Sequence, residues 1–413
     1  MALGALVAIL LIANAIVISV FGRRLEKRIE AIRVAGDPVS LPDLAPEAVP
    51  LEQNAAIFLR RAQGDIEAVS KELYAVYGKK GFYDGLLSET DLKFIESAFK
   101  AYPNVIPLLQ QAAECPDYDP QLDYTVGSQV FLTNSLSHLQ NLRPAYRLLA
   151  ARVHLLVSQG DREEALRTCL TIFRLSRHFG REPMMFGYLV AVACRSVGIV
   201  AANTVLRFGP LSKSSHDILD AELAIHDSTA AFVHALKTER VFGMERFSST
   251  ELISDARVWP VRAIFLDDEC DYLDLISEQL EFSSQPFSDL VAADIQSKHQ
   301  GRIGTLSRLF LPALLQYRKA YDRVRARIRC LQVLNALHRR ADQGDQSEPK
   351  LAELGLAPDT MTDPFTGQPL QLKKTTDGWL VYSAGENLQD DGGDLSLFRD
   401  FGVGPKRLSQ DDE

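Results

Sequence analysis

The sequence has little of what usually marks an enzyme or a nucleic-acid-binding protein. Its five cysteines are widely spaced and form no CxxC pair, so neither a zinc site nor a redox motif is supported. No Walker motif, glycine-rich phosphate loop, nucleophile elbow or HExxH sequence occurs. A net charge of −9 gives no basic footprint for phosphates, so we expect no nucleic-acid partner. We accordingly assign no catalytic and no cofactor-binding residue.

Charged side chains are also absent from residues 1–22, which are almost wholly apolar. About twenty helical residues span roughly 30 Å, the thickness of the hydrocarbon core of a bilayer. The segment therefore predicts a transmembrane signal anchor that contacts the lipid bilayer through residues 2–21. A cleaved signal peptide is the alternative, but neither a basic segment before the apolar run nor an A-x-A-like site before Arg23 supports it.

Prolines recur at every fourth position from Pro38 to Pro50. Because proline restricts the backbone to extended conformations, residues 23–50 are predicted to be a juxtamembrane segment and a linker that holds the body off the membrane. Residues 51–310 then show apolar positions at helical spacing and predict an antiparallel multi-helix body. The fold class that we expect is mainly α.

One stretch of this body, residues 135–178, is especially regular. Gly160 suits a helix C-cap and Asp161 an N-cap, so the stretch predicts two antiparallel helices joined at this point. The sequence LLVSQGDREEAL resembles a tetratricopeptide unit, and a single unit indicates a hairpin rather than a solenoid. Residues 184–206 follow as a second apolar run, where Arg195 at the middle favours a buried core helix over a membrane span.

Three polar residues of the body support an enzymatic alternative. Glu222 and His226 are four positions apart and share one helix face, as two metal ligands often do. Together with Glu239 they would form the site of a metal-dependent hydrolase. Ion pairs within the protein are the competing interpretation of the same residues.

A long helix opens the segment at residues 311–398, and many of its side chains are arginines. These arginines would meet anionic lipid or an acidic partner, or they would be balanced by the acidic helix at residues 267–280. Beyond the helix, alternating polar and apolar residues flank Asp377-Gly378, which predicts a small β-hairpin module. Residues 399–413 are expected to form an acidic flexible tail.

The loop after the hairpin is rich in oxygen-bearing side chains separated by glycines. Such side chains suit Ca²⁺, a hard cation that takes six to eight oxygen ligands. We therefore predict a structural calcium site as the one metal of this chain, and an uncoordinated acidic turn as its alternative. The candidate ligands are Asn387, Asp390, Asp391 and Asp394.

The order long helix, DPFTGQPL, DGWLVYSAGE and DDGGD resembles the C-terminal half of the major pseudopilins of type II secretion. That family runs a long helix into a DPW-G-x-P-type strand and a YS-x-G loop that binds calcium. The resemblance places Asn387 where the family has a loop aspartate, and Asp390, Asp391 and Asp394 near its later acidic positions. The chain as a whole resembles a group of bacterial membrane-anchored helical proteins of unassigned activity.

These observations predict a membrane-anchored, non-enzymatic envelope protein with an interaction or assembly role and a protein partner in the cell envelope. The alternatives are a metal-dependent hydrolase in the body and a calcium-binding module in the C-terminal loop. Basic residues at 23–28 follow the apolar run and favour a cytoplasmic body by the positive-inside rule. The pseudopilin resemblance favours the other side, and we expect a single-pass protein with an extracytoplasmic body.

Overall fold

Helices form most of the protein. The computed structural model describes residues 2–79, 81–82, 87–249, 262–293, 304–345, 347–395 and 399–405. The predicted mainly α architecture, with an apolar N-terminal helix and a small C-terminal sheet, is confirmed. In chain order the helices described are α1 (Ala2–Val34), α2 (Ala55–Glu72), α3 (Tyr74–Tyr77), α4 (Glu89–Ala101), α5 (Val105–Glu114), α6 (Ser128–Ser158), α7 (Arg162–Phe179), α8 (Met185–Arg207), α9 (Lys213–His226), α10 (Ala230–Ser249), α11 (Arg262–Glu281), α12 (Phe287–Ala292) and α13 (Thr305–Asp342).

Helix α1 runs without a break from the apolar segment into the helical body. Its apolar part is exposed and is long enough to cross a bilayer, either as an anchor or as a signal sequence. Further along, Leu25, Ile29 and Ile32 recur at helical spacing and pack against the core that includes α11. Arg28 donates from two nitrogens to the Asp274 carboxylate of α11, at 2.9 and 2.7 Å. The end of α1 is therefore part of the folded body.

Residues 37–50 lie against the body rather than extending away from it. The Asp37 carboxylate accepts hydrogen bonds from Lys237 Nζ at 2.5 Å and from Arg240 Nη2 at 2.9 Å, both on α10. Leu41 is buried in a small apolar cluster with Phe131 of α6. The segment thus differs from the extended linker predicted from its prolines, because an ion pair and a buried leucine attach it to the body.

The predicted helical hairpin is confirmed as α6 and α7. Gly160 between them has a φ of +81°, which a glycine adopts without strain, and the Asp161 carboxylate accepts the Glu164 N–H at 3.1 Å. Helix α8 packs against α6, α7 and α13, and 61% of its most apolar window is buried within the protein. The second apolar run is therefore the core helix that Arg195 indicated.

Several arginines of α13 are paired inside the protein. Asp227, just after α9, accepts hydrogen bonds from Arg325 Nε and Arg329 Nε, each at 2.9 Å. Arg323 pairs with Glu386 of the C-terminal loop. The sequence suggested that the acidic helix, α11 in the structure, balances these arginines. They face the residue after α9 and the C-terminal module instead.

The C-terminal module is a three-stranded antiparallel sheet that packs on α13. The predicted hairpin is confirmed, with Thr375 opposite Gly378 across the turn. A third strand lies in the segment expected to be a flexible tail, where Phe401 and Val403 are buried, and residues 406–413 lie outside the described part. Three residues carry too little periodicity to predict a strand, so only the pairing with its neighbour defines it. The strands are β1 (Gln371–Thr375), β2 (Gly378–Ser383) and β3 (Phe401–Val403).

Candidate functional site

A cleft of about 720 Å³ opens between four segments of the helical body. Residues 44–50 form one side, the loop at residues 117–124 forms another, and the α7–α8 and α9–α10 junctions form the remaining two. This volume is typical of pockets that hold small molecules. The charged side chains that line it are Glu47, Asp117, Arg177, Arg181 and Arg195.

Arg195 reaches this cleft from the middle of the apolar helix α8, and the residue is only 5% exposed. Its guanidinium lies over the ring of Tyr188, 5.5 Å from the ring centroid, and beside Gly180 at the end of α7. A Cβ atom on Gly180 would stand 3.4 Å from Arg195 Nη2, an ordinary contact distance, so the guanidinium packs directly against the end of α7. Within the described ranges Arg195 Nε has no hydrogen-bond partner, and the neighbour that the guanidinium contacts is the uncharged Tyr188 rather than a carboxylate.

His226 and Glu222, two of the three candidate hydrolase residues, bind each other. His226 Nε2 lies 3.1 Å from Glu222 Oε1, and Arg174 and Arg177 each approach the same carboxylate to 3.4 Å. Burial lowers the pKa of His226 to about 4, and the positive charge of Arg195 adds to this, although the bond to Glu222 opposes it. Burial by itself would raise the pKa of Glu222. The hydrogen bond to His226 and the charges of His226 and the two arginines outweigh this effect, so the pKa of Glu222 is lowered.

Glu239, the third candidate hydrolase residue, lines a separate cavity of about 330 Å³ together with Arg246 and Phe310. Partial burial raises the pKa of Glu239, with the charge of Arg246 opposing that rise. The structure therefore does not bring Glu239 together with the Glu222–His226 pair. Among the described residues, no group of three His, Cys, Asp or Glu side chains is placed to hold a metal ion.

Tyr118, which lines the cleft, is held by Glu182 behind it. The Tyr118 hydroxyl donates to Glu182 Oε1, and the Tyr118 ring stacks on His178 at 5.8 Å between centroids. Burial, followed by the nearby charges of Arg181 and Arg177, lowers the pKa of His178 to about 4, so this histidine is neutral at pH 7. Glu182 is thus engaged with Tyr118 and gives no evidence of pairing with Arg195.

The rim of the cleft is held by local hydrogen bonds. The buried Asn54 side chain accepts the Asp119 N–H at 3.0 Å and donates to the Asp119 carbonyl at 2.9 Å, which fixes the acidic loop to the start of α2. Arg181 is exposed, donates to the Pro116 carbonyl at 3.0 Å and lies 3.5 Å from Asp117. The loop is therefore fixed through its backbone, and the Asp117 carboxylate already has an arginine partner.

The predicted calcium ligands lie together in the C-terminal loop but bind each other or the backbone. Asn387 Nδ2 donates to Asp391 Oδ2 at 2.8 Å. Asp390 Oδ1 accepts the Gly392 N–H at 2.8 Å and the Tyr382 hydroxyl at 3.1 Å. Asp394 contributes its backbone, whose carbonyl accepts the Asp400 N–H at 3.1 Å. The calcium site stays a prediction.

Asp400, which sequence reasoning missed, organises this loop. Its buried carboxylate accepts N–H groups from Asp391, Gly393 and Asp394, at 3.4, 2.8 and 3.1 Å. Burial nevertheless raises the pKa of Asp400, because these bonds only partly offset the loss of water. Converging N–H groups stabilise an anion, so the loop closes around a carboxylate of its own.

Known proteins give no direct guide to the cleft or to the C-terminal loop. Comparisons of the chain with protein families, with curated proteins and with solved structures found no match. The two motifs that carry the pseudopilin resemblance do meet in space. Asp363 of DPFTG accepts hydrogen bonds from Ser383 Oγ at 2.8 Å and from the Ala384 N–H at 3.0 Å, both in YSAG.

Proposed function

We propose that this chain is a single-pass, membrane-anchored protein of the cell envelope whose helical body binds a partner or ligand without catalysing a reaction. The proposal combines three features: an apolar helix continuous with the body, a cleft of small-molecule size, and polar residues that pair with one another. No one of them suffices alone. Together they favour a receptor-like or assembly role over an enzymatic one.

The observation that carries the proposal is the attachment of α1 to the body. Because Leu25, Ile29 and Ile32 pack into the same core as α11, the helix end cannot swing freely. An α-helix rises about 1.5 Å per residue, so residues 23–34 extend only about 18 Å beyond the apolar run. With the apolar run in a bilayer, the body is held close to the membrane surface in one orientation, which suits a protein that presents a binding site there.

The arrangement of the candidate hydrolase residues also supports a binding role. Glu222 is occupied by His226 and two arginines, and Glu239 lines a different cavity. A hydrolytic metal site needs three protein ligands that leave an open position for water. The described part of the chain offers two neighbouring groups that are already hydrogen-bonded to each other.

We further propose that the body is extracytoplasmic, on the strength of the pseudopilin resemblance. Arg28, one of the basic residues that argue for the cytoplasm, has a folded-state partner in Asp274. Reporter fusions at Glu413 test the orientation. Activity of an exported phosphatase reporter supports the proposal, and activity of a reporter that works only in the cytoplasm contradicts it.

Membrane fractionation tests the anchor. The full chain should stay with membranes after alkaline carbonate extraction, whereas a chain without residues 2–21 should be released. The truncated chain should also be compared for size, since a full chain that is shortened near residue 22 in cells would identify the apolar run as a signal peptide. Release of the intact full chain would contradict the anchor.

A further inference from the structure

We propose that the cleft binds a small organic anion, whose carboxylate or phosphate group pairs with Arg195. The inference rests on the proposed binding function and names the class of ligand for it. It starts from a charge that the fold leaves unbalanced. Burying a guanidinium without a partner is unfavourable, because the charged group loses its hydration and gains no opposite charge.

The other buried arginines show how this protein usually treats such a charge. Four of them have a carboxylate partner at 2.9 Å or less. Arg195 is the exception among the five least exposed arginines of the described ranges, and it is also the one of these five that lines the cleft. The four paired residues are Arg240 with Asp37, Arg318 with Asp322, and Arg325 and Arg329 with Asp227.

Neighbouring carboxylates do not supply the missing charge. Glu222 is 3.1 Å from His226 and is shared by two other arginines, while Glu182 accepts the Tyr118 hydroxyl. Asp117 lies at the rim against Arg181, and Glu47 is exposed on the opposite side. A ligand anion in front of Arg195 would complete the pairing that the rest of the fold provides for its buried arginines.

The walls of the cleft indicate an organic ligand rather than a bare inorganic ion. Tyr118, Tyr124, Pro183 and Ile225 line the space beside Arg195. These apolar and aromatic surfaces would pack against the carbon skeleton of a ligand, while the arginine fixes its anionic end. A space of about 720 Å³ holds a molecule considerably larger than phosphate alone.

Thermal unfolding of the full chain in detergent micelles, with and without added probes, tests the proposal. Phenylacetate and phenyl phosphate carry an aromatic body with a carboxylate or a phosphate, phenylacetamide is the uncharged counterpart, and inorganic phosphate tests the anion alone. Sodium chloride keeps the ionic strength equal in all samples. Phenylacetate or phenyl phosphate should raise the melting temperature in a saturable manner, and phenylacetamide should not, since only an anion pairs with the guanidinium.

Substitutions then assign the effect to Arg195. Arg195→Met should weaken the apparent affinity for the active probe at least about tenfold, as expected for loss of a charge-assisted contact. Arg195→Lys should retain part of it. Arg207→Gln, an exposed arginine at the end of the same helix, should leave the affinity unchanged. Failure of every anion to shift the melting temperature, or an equal shift with phenylacetamide, would overturn the proposal.

The ligand-free protein provides a second, independent measurement. Arg195→Met should leave the melting temperature unchanged or raise it, because it removes a buried charge that has no carboxylate partner. Arg240→Met is the matched control and should lower it, since that change leaves Asp37 with one cation instead of two. A loss in Arg195→Met as large as that in Arg240→Met would mean that Arg195 is structural and would contradict the proposal. Carbonate extraction reports on the anchor separately, so failure of either inference can be recognised without the other.

Discussion

The Arg28 guanidinium and the Asp274 carboxylate are joined at two points, with distances of 2.9 and 2.7 Å. Arg28 lies on the helix that begins with the apolar run, and Asp274 lies on α11 of the body. Leu25 and Ile32 are buried one turn to either side of Arg28. The ion pair therefore sits within an apolar contact, and the two kinds of interaction can be separated by mutation.

We expect the apolar contact to contribute more than the ion pair. Ile32→Ala should reduce the free energy of unfolding by about 2–4 kcal/mol, the usual cost of truncating a buried aliphatic side chain. Arg28→Ala should cost less than about 1 kcal/mol, because its side chain is 34% and that of Asp274 48% exposed, and solvent screens the pair. Urea unfolding of the full chain in micelles, followed by tryptophan fluorescence, measures both.

Val34→Ala is the control for this comparison, since Val34 is 79% exposed at the end of the same helix. It should leave the free energy of unfolding unchanged within about 0.5 kcal/mol. A loss for Arg28→Ala that equals or exceeds the loss for Ile32→Ala would show that charge, rather than apolar packing, attaches α1 to the body.

Acid should destabilise the fold through His226. Its folded-state pKa is lowered from 6.5 to about 4 by burial, so the unfolded chain binds the proton first as the pH falls. The contribution of neutral His226 to the free energy of unfolding is fully present above pH 6.5. It is lost progressively as the pH falls from 6.5 to about 4. This shift corresponds to at most roughly 3 kcal/mol.

His226→Gln isolates this effect, because glutamine can still donate to Glu222 but does not titrate. The free energy of unfolding of the wild type should fall relative to that of the variant as the pH decreases from 6.5 to 4. Burial raises the pKa of Glu269 to about 7, which acts in the opposite direction but equally in both proteins. Parallel pH profiles for the two proteins would contradict the assignment.

Two glycines in helices should respond oppositely to alanine. A Cβ atom on Gly187 of α8 would lie 2.2 Å from Glu182 Cβ, so Gly187→Ala must displace Glu182 and its bond to Tyr118, at a cost of about 1–3 kcal/mol. Gly64 of α2 has nothing within 4 Å, and Gly64→Ala should stabilise by about 0.5–1 kcal/mol. Differential scanning fluorimetry measures the change in melting temperature for each variant. A higher melting temperature for Gly187→Ala would contradict the close approach of Gly187 to Glu182.

The C-terminal loop should depend on the Asp400 carboxylate. Asp400→Asn should cost about 1–3 kcal/mol, because one carboxylate oxygen that accepts buried N–H groups is replaced by an amide donor. Asp359→Asn, at an exposed position of the same module, should cost less than about 0.5 kcal/mol. The same assay tests the calcium site predicted from the sequence, and equal melting temperatures with calcium and with a chelator would contradict that site. A calcium-dependent rise that Asp390→Asn or Asp391→Asn abolishes would instead establish the calcium site predicted from the sequence.

Local signals predicted the parts of the fold that depend on neighbouring residues. Gly160-Asp161 places a turn between two helices because a positive φ and an N-cap are properties of those residues. Asp377-Gly378 does the same for the hairpin. These features need no information about distant segments, and the structure has them where the sequence indicated.

The candidate site depends on distant segments and was only partly visible in the sequence. Arg195 stood out as a charge in an apolar run, but the lack of a carboxylate partner became evident only once α7, α8 and α9 were packed together. Asp400 gave no signal, because its partners are backbone N–H groups brought to it by the loop. Glu222 and Glu239 looked like members of one site because their spacing reveals nothing about the directions of α9 and α10.

The attachment of α1 also sets an order of events during synthesis. Arg28 and Asp274 are separated by 246 positions in the chain. At about 5–20 residues per second, the ribosome synthesises Asp274 on the order of ten seconds or more after Arg28. For that time Leu25, Ile29 and Ile32 have no α11 to cover them, so this apolar stripe stays open while the rest of the body is synthesised. If the apolar run enters a bilayer as proposed, that step precedes completion of the core against which the end of α1 finally packs.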